Sequence, residues 1–249
     1  MDRRTALITG VGRTVGIGAG IARQLATDGW DLVLTYWQGY DARMPWGVRD
    51  QDVDILVTEL RAAGSKVCAV PADFEDPAAV DILMAQAAAD AGPLEGLVLS
   101  HCESTDSSIL DTTLESFDRH FAVNARASWQ LMAAFARQIP ADGGAIVALT
   151  SDHTVHNLAY GASKGALDRM VIAAARELGH LGISSNVLNP GPVDTGWMDE
   201  ALKEKLIASQ PSGRLGTPAD VAGTVGFLLS PPGRWVSGQL IKSDGGFSV

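Results

Sequence analysis

The stretch TALITGVGRTVGIGAGIA, residues 5–22, sets an apolar run, a glycine-rich turn and a helical pattern side by side. The apolar run at 5–9 predicts a buried strand, and the amphipathic pattern at 19–29 predicts the helix that follows it. A second apolar run at 31–36 predicts the next strand. The opening of the chain is therefore predicted to be a βαβ unit, whose turn leads from a strand into a helix N-terminus.

The same alternation continues to the end of the chain. Further strands are predicted at 66–70, 96–100, 145–150, 183–189 and 239–243, and further helices at 53–63, 77–91, 114–136, 160–180, 199–209 and 218–229. The strands are nearly continuous apolar runs, which is typical of strands covered on both faces. We therefore predict one α/β domain over 1–249, a Rossmann-type doubly wound three-layer sandwich with a seven-stranded parallel sheet. Only residues 38–50 are predicted to form a long irregular segment.

Composition and charge narrow the functional classes. The 249 residues are 46% hydrophobic, and the formal net charge of −10 disfavours nucleic acid and anionic membrane surfaces as partners. No apolar stretch reaches the roughly 18 residues of a membrane span. Two cysteines and an N-terminus without a signal-peptide core predict a cytoplasmic protein.

The turn after the first strand contains the first candidate binding site. Gly10, Gly12, Gly16 and Gly18, with Ile17 among them, lie between the strand and the first turn of the helix. Glycines at such a place let the backbone approach a pyrophosphate, whose charge the helix N-terminus favours. The alternative is an ordinary tight turn.

The end of the second strand bears on which dinucleotide binds. Proteins that prefer NAD place an acidic side chain here to accept hydrogen bonds from the ribose 2′-hydroxyl, whereas this chain has Tyr36 and Trp37. Arg13 and Arg43 are candidate partners for a 2′-phosphate, so NADPH or NADP+ is predicted in preference to NADH. The alternative is that both arginines are merely solvated.

A candidate catalytic group follows the fifth strand. Tyr160 and Lys164 are spaced i,i+4, which puts the phenol and the ammonium on one helix face. The positive charges of Lys164 and of an oxidised nicotinamide are expected to lower the tyrosine pKa from its usual value near 10 and make it a usable general acid. The hydroxyl of Ser151 is placed to orient a substrate oxygen. The alternatives are an ordinary helix surface and a capped turn.

These segments resemble the classical short-chain dehydrogenase/reductase family and are similar to its 3-oxoacyl-[acyl-carrier-protein] reductase-like members. The family pattern T-G-x3-G-I-G is present with five intervening residues, and the family's Y-x-x-x-K is present in full. The resemblance implies a catalytic set of Asn124, Ser151, Tyr160 and Lys164, in which the asparagine holds a water in a proton relay. It implies further cofactor contacts from Asp73, Phe74, Ser100, His101, Tyr160, Lys164, Pro190, Gly191, Val193 and Thr195.

Two segments depart from the family pattern. The usual N-N-A-G is replaced by SHCE at 100–103, which puts Glu103 where a glycine normally lies, and the interval between Ser151 and Tyr160 is shorter than usual. His153 and His156 have a spacing seen in metal sites but no third ligand, so no metal is predicted. The one base near Cys102 in the sequence is His101, whose side chain should point the opposite way on an extended segment, so Cys102 is interpreted as a packing residue.

The predicted function is reduction of a ketone, an aldehyde or a 3-oxoacyl group with NADPH. An NAD-dependent alcohol dehydrogenase and a catalytically silent dinucleotide-binding sensor or scaffold are the alternatives. The expected partner is a small carbonyl or acyl substrate. The resemblance also implies a homotetramer or a homodimer.

Overall fold

The computed structural model describes residues 3–249. Within residues 3–249, seven parallel strands form one sheet in the order β3-β2-β1-β4-β5-β6-β7, which is the predicted fold class. The strands are β1 (Thr5–Ile8), β2 (Asp31–Tyr36), β3 (Val67–Pro71), β4 (Gly96–Leu99), β5 (Gly144–Leu149), β6 (Ile183–Asn189) and β7 (Leu240–Lys242).

Helices cover both faces of the sheet. They are α1 (Ile17–Thr27), α2 (Gln38–Asp41), α3 (Asp52–Ala62), α4 (Ala79–Ala91), α5 (Leu114–His120), α6 (Ala127–Gln138), α7 (Leu158–Glu177), α8 (Glu200–Ser209) and α9 (Pro218–Leu229). Alternate residues of β1 face opposite sides: Ala6 and Ile8 pack with α1, α3 and α9, whereas Leu7 packs with α4, α6 and α7. This alternation follows from the two-residue period of a strand and produces the predicted three layers.

Most predicted boundaries lie within three residues of those observed, but the long helix predicted at 114–136 is wrong in one respect. It is interrupted by a π-helical segment, Phe121–Arg126, between α5 and α6. The segment at 38–50 also contains one short helix, α2. π-helical turns inside longer helices are frequent at functional sites because they redirect side chains.

The strand order places the functional end of the sheet. β1 lies between β2 and β4, so successive crossovers leave it in opposite directions. In open α/β sheets, ligands bind outside the carboxyl ends of the strands at this switch point. Within residues 3–249, no helix has the length and apolarity needed to cross a bilayer.

Candidate active site

The glycine-rich turn follows β1 at the switch point. Gly10 has φ +74°, and a Cβ atom there would lie 2.7 Å from the backbone of His101. A Cβ on Gly18 would lie 3.0 Å from the carbonyl oxygen of Gly10. Gly16 precedes α1 and has no side chain to cap it, so the first N–H groups of α1 are left for another acceptor. The turn therefore has the features of an anion cradle.

Thr9 and His101 join the ends of β1 and β4. The Thr9 hydroxyl accepts the N–H of Ser100 at 3.0 Å and lies 2.6 Å from Nδ1 of His101. Nε2 of His101 faces the carbonyl oxygen of Val123 at 3.0 Å, so this nitrogen donates and Nδ1 accepts from Thr9. Burial lowers the pKa of His101 to about 3, so the ring is neutral and supports the turn. Sequence reasoning gave Thr9 no separate role, although it ends the first apolar run.

Ser151, Tyr160 and Lys164 come together at the carboxyl end of β5. The Ser151 hydroxyl is close enough to the Tyr160 phenol to act to lower its pKa. Lys164 is buried, its Nζ donates to the carbonyl oxygen of Leu149 at 2.9 Å, and it lies 5.8 Å from the centroid of the Tyr160 ring. The shorter interval before Tyr160 thus still leaves the serine near the tyrosine.

The protein groups around Tyr160 raise its pKa, so the lowering expected from Lys164 together with an oxidised nicotinamide stays a prediction. Burial raises the pKa of Tyr160, and the effect of Ser151 is the smaller one. Burial also lowers the pKa of Lys164. Desolvation disfavours the charged form of both groups.

Asn124 lies in the π-helical segment and is fully buried. Its Oδ1 accepts the N–H of Glu103 at 2.8 Å, and its Nδ2 donates to the carbonyl oxygen of Glu103 and to the hydroxyl of Ser163, each at 2.9 Å. The side-chain amide therefore fastens the segment after β4 to α7. Its role in a water relay stays a prediction.

Asp168 is a nearby group that sequence reasoning missed. It follows Lys164 by one helical turn, and burial raises its pKa while the charge of Lys164 acts in the opposite direction. The signal was available in the sequence, because i,i+4 neighbours share a helix face.

The two arginines proposed for a phosphate have partners within the protein. Arg13 donates to the carbonyl oxygen of Thr195, and its guanidinium lies 4.7 Å from the centroid of the Trp46 ring. Arg43 forms an ion pair with Glu103 at 2.8 Å, and the Glu103 side chain is only 4% exposed. Glu103, in the position of the family glycine, is thus a buried carboxylate paired with an arginine.

The remaining predicted cofactor residues surround the same edge. Trp37 is exposed, Tyr36 is half-buried, and Asp73 is half-buried and accepts the N–H of Glu75 at 3.0 Å. Phe74 is buried with its ring 4.5 Å from that of His101, so it packs in the core.

The segment after β6 forms another wall of the site. Pro190 and Gly191 follow Asn189, whose side chain accepts the N–H of Gly191 at 3.1 Å. Val193 is buried and pairs with Gly216. Two residues further along the chain, the carbonyl oxygen of Thr195 accepts a hydrogen bond from Arg13. Each of these residues stays a predicted contact.

The loop between Ser151 and Tyr160 contains both candidate metal-site histidines, His153 and His156, and both are exposed. Among the described residues 3–249, no three His, Cys, Asp or Glu side chains cluster as a metal site. His156 has φ 59°, uncommon for a residue with a side chain. Asn157 pairs with Ser107 across the site, which ties this loop to the segment after β4.

Residues 10–248 match a family profile described as enoyl-(acyl carrier protein) reductase. The chain belongs to the short-chain dehydrogenase/reductase family. It is an oxidoreductase of this family, as the resemblance in its motifs predicted.

Three similar proteins illustrate the relationship. The chain is 33% identical to an Arabidopsis thaliana protein named NADPH-dependent aldehyde reductase-like protein, chloroplastic, over 98% of this chain and 94% of that protein. It is 35% identical to a blue fluorescent protein from a metagenomic library, solved in complex with NADPH, with a TM-score of 0.88 over 99% of this chain and 98% of the other. A Burkholderia cenocepacia short-chain dehydrogenase solved with NADP is 32% identical, with the same TM-score and coverage. Structures similar to this chain thus hold the cofactor that the sequence predicted.

Proposed function

We propose that this chain is an NADP(H)-dependent reductase that converts a ketone or aldehyde to an alcohol. The observation that supports this most directly is that Ser151, Tyr160 and Lys164 lie together at the carboxyl end of β5, with the Lys164 ammonium 5.8 Å from the centroid of the Tyr160 ring. Two neighbouring hydroxyl groups can both donate to one substrate oxygen. They lie at the carboxyl edge of the sheet, where the glycine turn would hold a dinucleotide.

The residues present fit that cofactor. The uncapped N-terminus of α1 and the side-chain-free surface of Gly10, Gly16 and Gly18 suit a pyrophosphate. Arg13 lies beside the turn and is the proposed partner of the 2′-phosphate. When bound, the cofactor supplies the hydride that is added to the carbonyl carbon. The NADP-bound neighbours support the choice of cofactor.

The side chains supply the proton and the orientation. Tyr160 donates its phenolic proton to the substrate oxygen as the carbonyl carbon is reduced, so that one hydride and one proton yield the alcohol. Ser151 holds the same oxygen, and Lys164 supports the tyrosine and binds ribose. Asn124 maintains the π-helical segment and completes the relay that reprotonates Tyr160.

Two other reactions follow from the comparisons and the sequence. The family profile names reduction of an enoyl thioester, a carbon–carbon double bond, whereas a 3-oxoacyl thioester offers a carbonyl to the same site. Two neighbouring hydroxyl donors, Ser151 and Tyr160, favour the carbonyl. The NAD-dependent alcohol dehydrogenase and the silent binding protein stay as alternatives. The cytoplasmic location and the homotetramer stay predictions.

The test combines binding with turnover. NADPH and NADH are titrated by fluorescence quenching against the wild type and Tyr160→Phe, and NADPH oxidation is followed with an aldehyde, a ketone, a 3-oxoacyl thioester and an enoyl thioester. We expect both proteins to bind NADPH and only the wild type to reduce the carbonyl compounds. Lys164→Met is expected to lose activity. Its matched control is Lys66→Met, because Lys66 is exposed at the amino end of β3, and this variant is expected to retain activity. Binding without turnover on any substrate would support the silent alternative, and no binding would refute both.

A further inference from the structure

One segment lies across the proposed cofactor cleft. Residues 37–47, hereafter the strap, leave the end of β2 and reach the segment that follows β4. Since β1 lies between these strands, and neighbouring strands are about 5 Å apart, the strap spans about 10 Å over the glycine turn. It therefore covers the switch point at which the dinucleotide is proposed to bind.

Two polar contacts fasten the far side of the strap. A terminal guanidinium nitrogen of Arg43 lies 2.8 Å from Oε2 of Glu103, and the Tyr40 hydroxyl donates to the carbonyl oxygen of Ser104 at 3.3 Å. The backbone of Glu103 is itself fixed in both directions by the amide of Asn124. The ion pair thus joins the strap to a backbone segment that Asn124 holds in place.

The underside of the strap rests on the glycine turn. Asp41 is 9% exposed, and its Oδ2 lies 2.9 Å from the position that a Cβ would take on Gly12. Its Oδ1 accepts a hydrogen bond from Nε1 of Trp46 at 2.8 Å, and Trp46 lies beneath Arg13. A carboxyl group of the strap therefore lies against Gly12, within the same turn that is proposed to bind the pyrophosphate.

Tyr40 adds to the contact between the strap and the segment after β4. Its side chain is half-buried. Burial raises the pKa of Tyr40, with smaller contributions from Cys102 and Glu103 in that segment. The strap is thus packed onto the segment after β4 as well as onto the glycine turn.

We propose that the strap occupies the cofactor cleft of the free chain and that the Arg43–Glu103 ion pair is the latch that must open before the cofactor binds. The proposal rests on the proposed function, because it takes the cleft to be the NADP(H) site. It gives Glu103 a role that the glycine of the family pattern could not serve. Because only the unlatched fraction is competent, the latch lowers the apparent affinity for either cofactor in proportion to that fraction.

Stopped-flow binding of NADPH and of NADH tests the latch. Glu103→Gln and Arg43→Gln each remove one charge of the ion pair. We expect each variant to raise the association rate constant of both cofactors about tenfold, which corresponds to about 1.4 kcal/mol, with the dissociation rate constants unchanged. The double variant should gain no more than either single variant, because the two substitutions break the same contact.

Arg119→Gln is the matched control. Arg119 is near enough to feel the charge of Glu103, but it bonds to Glu75 and Glu115 instead, so its loss changes the local charge and spares the latch. We expect its binding rates to match those of the wild type. Unchanged rates in both latch variants would overturn the proposal. So would NADPH binding weakened by Arg43→Gln alone with NADH binding preserved, which would make Arg43 a ligand of the 2′-phosphate.

Hydrogen exchange gives a readout that needs no cofactor. The amides of residues 38–47 should exchange at least about fivefold faster in Glu103→Gln than in the wild type, because opening of the strap becomes more frequent. Failure of the wild type to bind either cofactor would refute the proposed function, and this measurement would still decide the latch. If Glu103→Gln does not fold, Arg43→Gln decides it, since that side chain is 40% exposed. Equal exchange in the variant and the wild type would overturn the latch.

Discussion

Substituting alanine for Gly10 tests whether the turn after β1 depends on the absence of a side chain. Two costs add at this position. The left-handed backbone at φ +74° costs an alanine about 1–2 kcal/mol. A Cβ at 2.7 Å from the backbone of His101 forces that backbone to shift, and overpacking of this kind costs about 1–3 kcal/mol more.

Gly29→Ala separates the two costs. Gly29 has φ +86°, and a Cβ there meets no atom within 4 Å, so this variant has the backbone strain without the clash. We expect urea unfolding to show a loss of about 1–2 kcal/mol for Gly29→Ala and about 2–5 kcal/mol for Gly10→Ala. NADPH affinity should fall only in Gly10→Ala, because the shift displaces the segment joined to Thr9. Equal stability losses in the two variants would refute the reasoning from the close approach of His101.

Three further predictions concern the catalytic pair, a buried ring and the cofactor preference. Ser151→Ala should lower kcat by about 10²-fold or more while the NADPH Kd is unchanged, as measured by NADPH oxidation and fluorescence titration; an unchanged kcat would contradict the donor pair. Burial lowers the pKa of His101 to about 3 in the folded protein, whereas its ordinary value is 6.5. Between these two pH values the unfolded chain binds a proton on His101 that the folded chain does not bind. The free energy of unfolding should therefore fall as pH drops from about 6.5 towards 3, by up to about 1.4 kcal/mol per pH unit. His101→Gln should lose this component of the pH dependence, and a stability curve unchanged by the substitution would argue against a neutral ring. Arg13→Gln should reduce the preference for NADPH over NADH by about tenfold in paired Kd measurements, and equal weakening of both cofactors would argue against a 2′-phosphate contact.

Much of the arrangement of the catalytic residues could be predicted from the local sequence. The i,i+4 spacing of Tyr160 and Lys164 put both on one face of α7, as helical geometry requires, and the position of Ser151 at the end of β5 followed from the apolar run before it. The direction of the tyrosine pKa did not follow. Burial depends on how many atoms from other elements surround the hydroxyl, and the spacing within one helix does not contain that information.

The sequence by itself determined the seven strands, the layer order and the glycine turn, because periodicity and glycine placement act through neighbours along the chain. Only the tertiary structure brought Arg43 to Glu103, which lies 60 positions away, and laid Asp41 on Gly12. These contacts join an irregular segment to residues that are distant in the sequence, so no local pattern encodes them. The strap was therefore predicted only as an irregular stretch, whereas the folded chain shows what it covers.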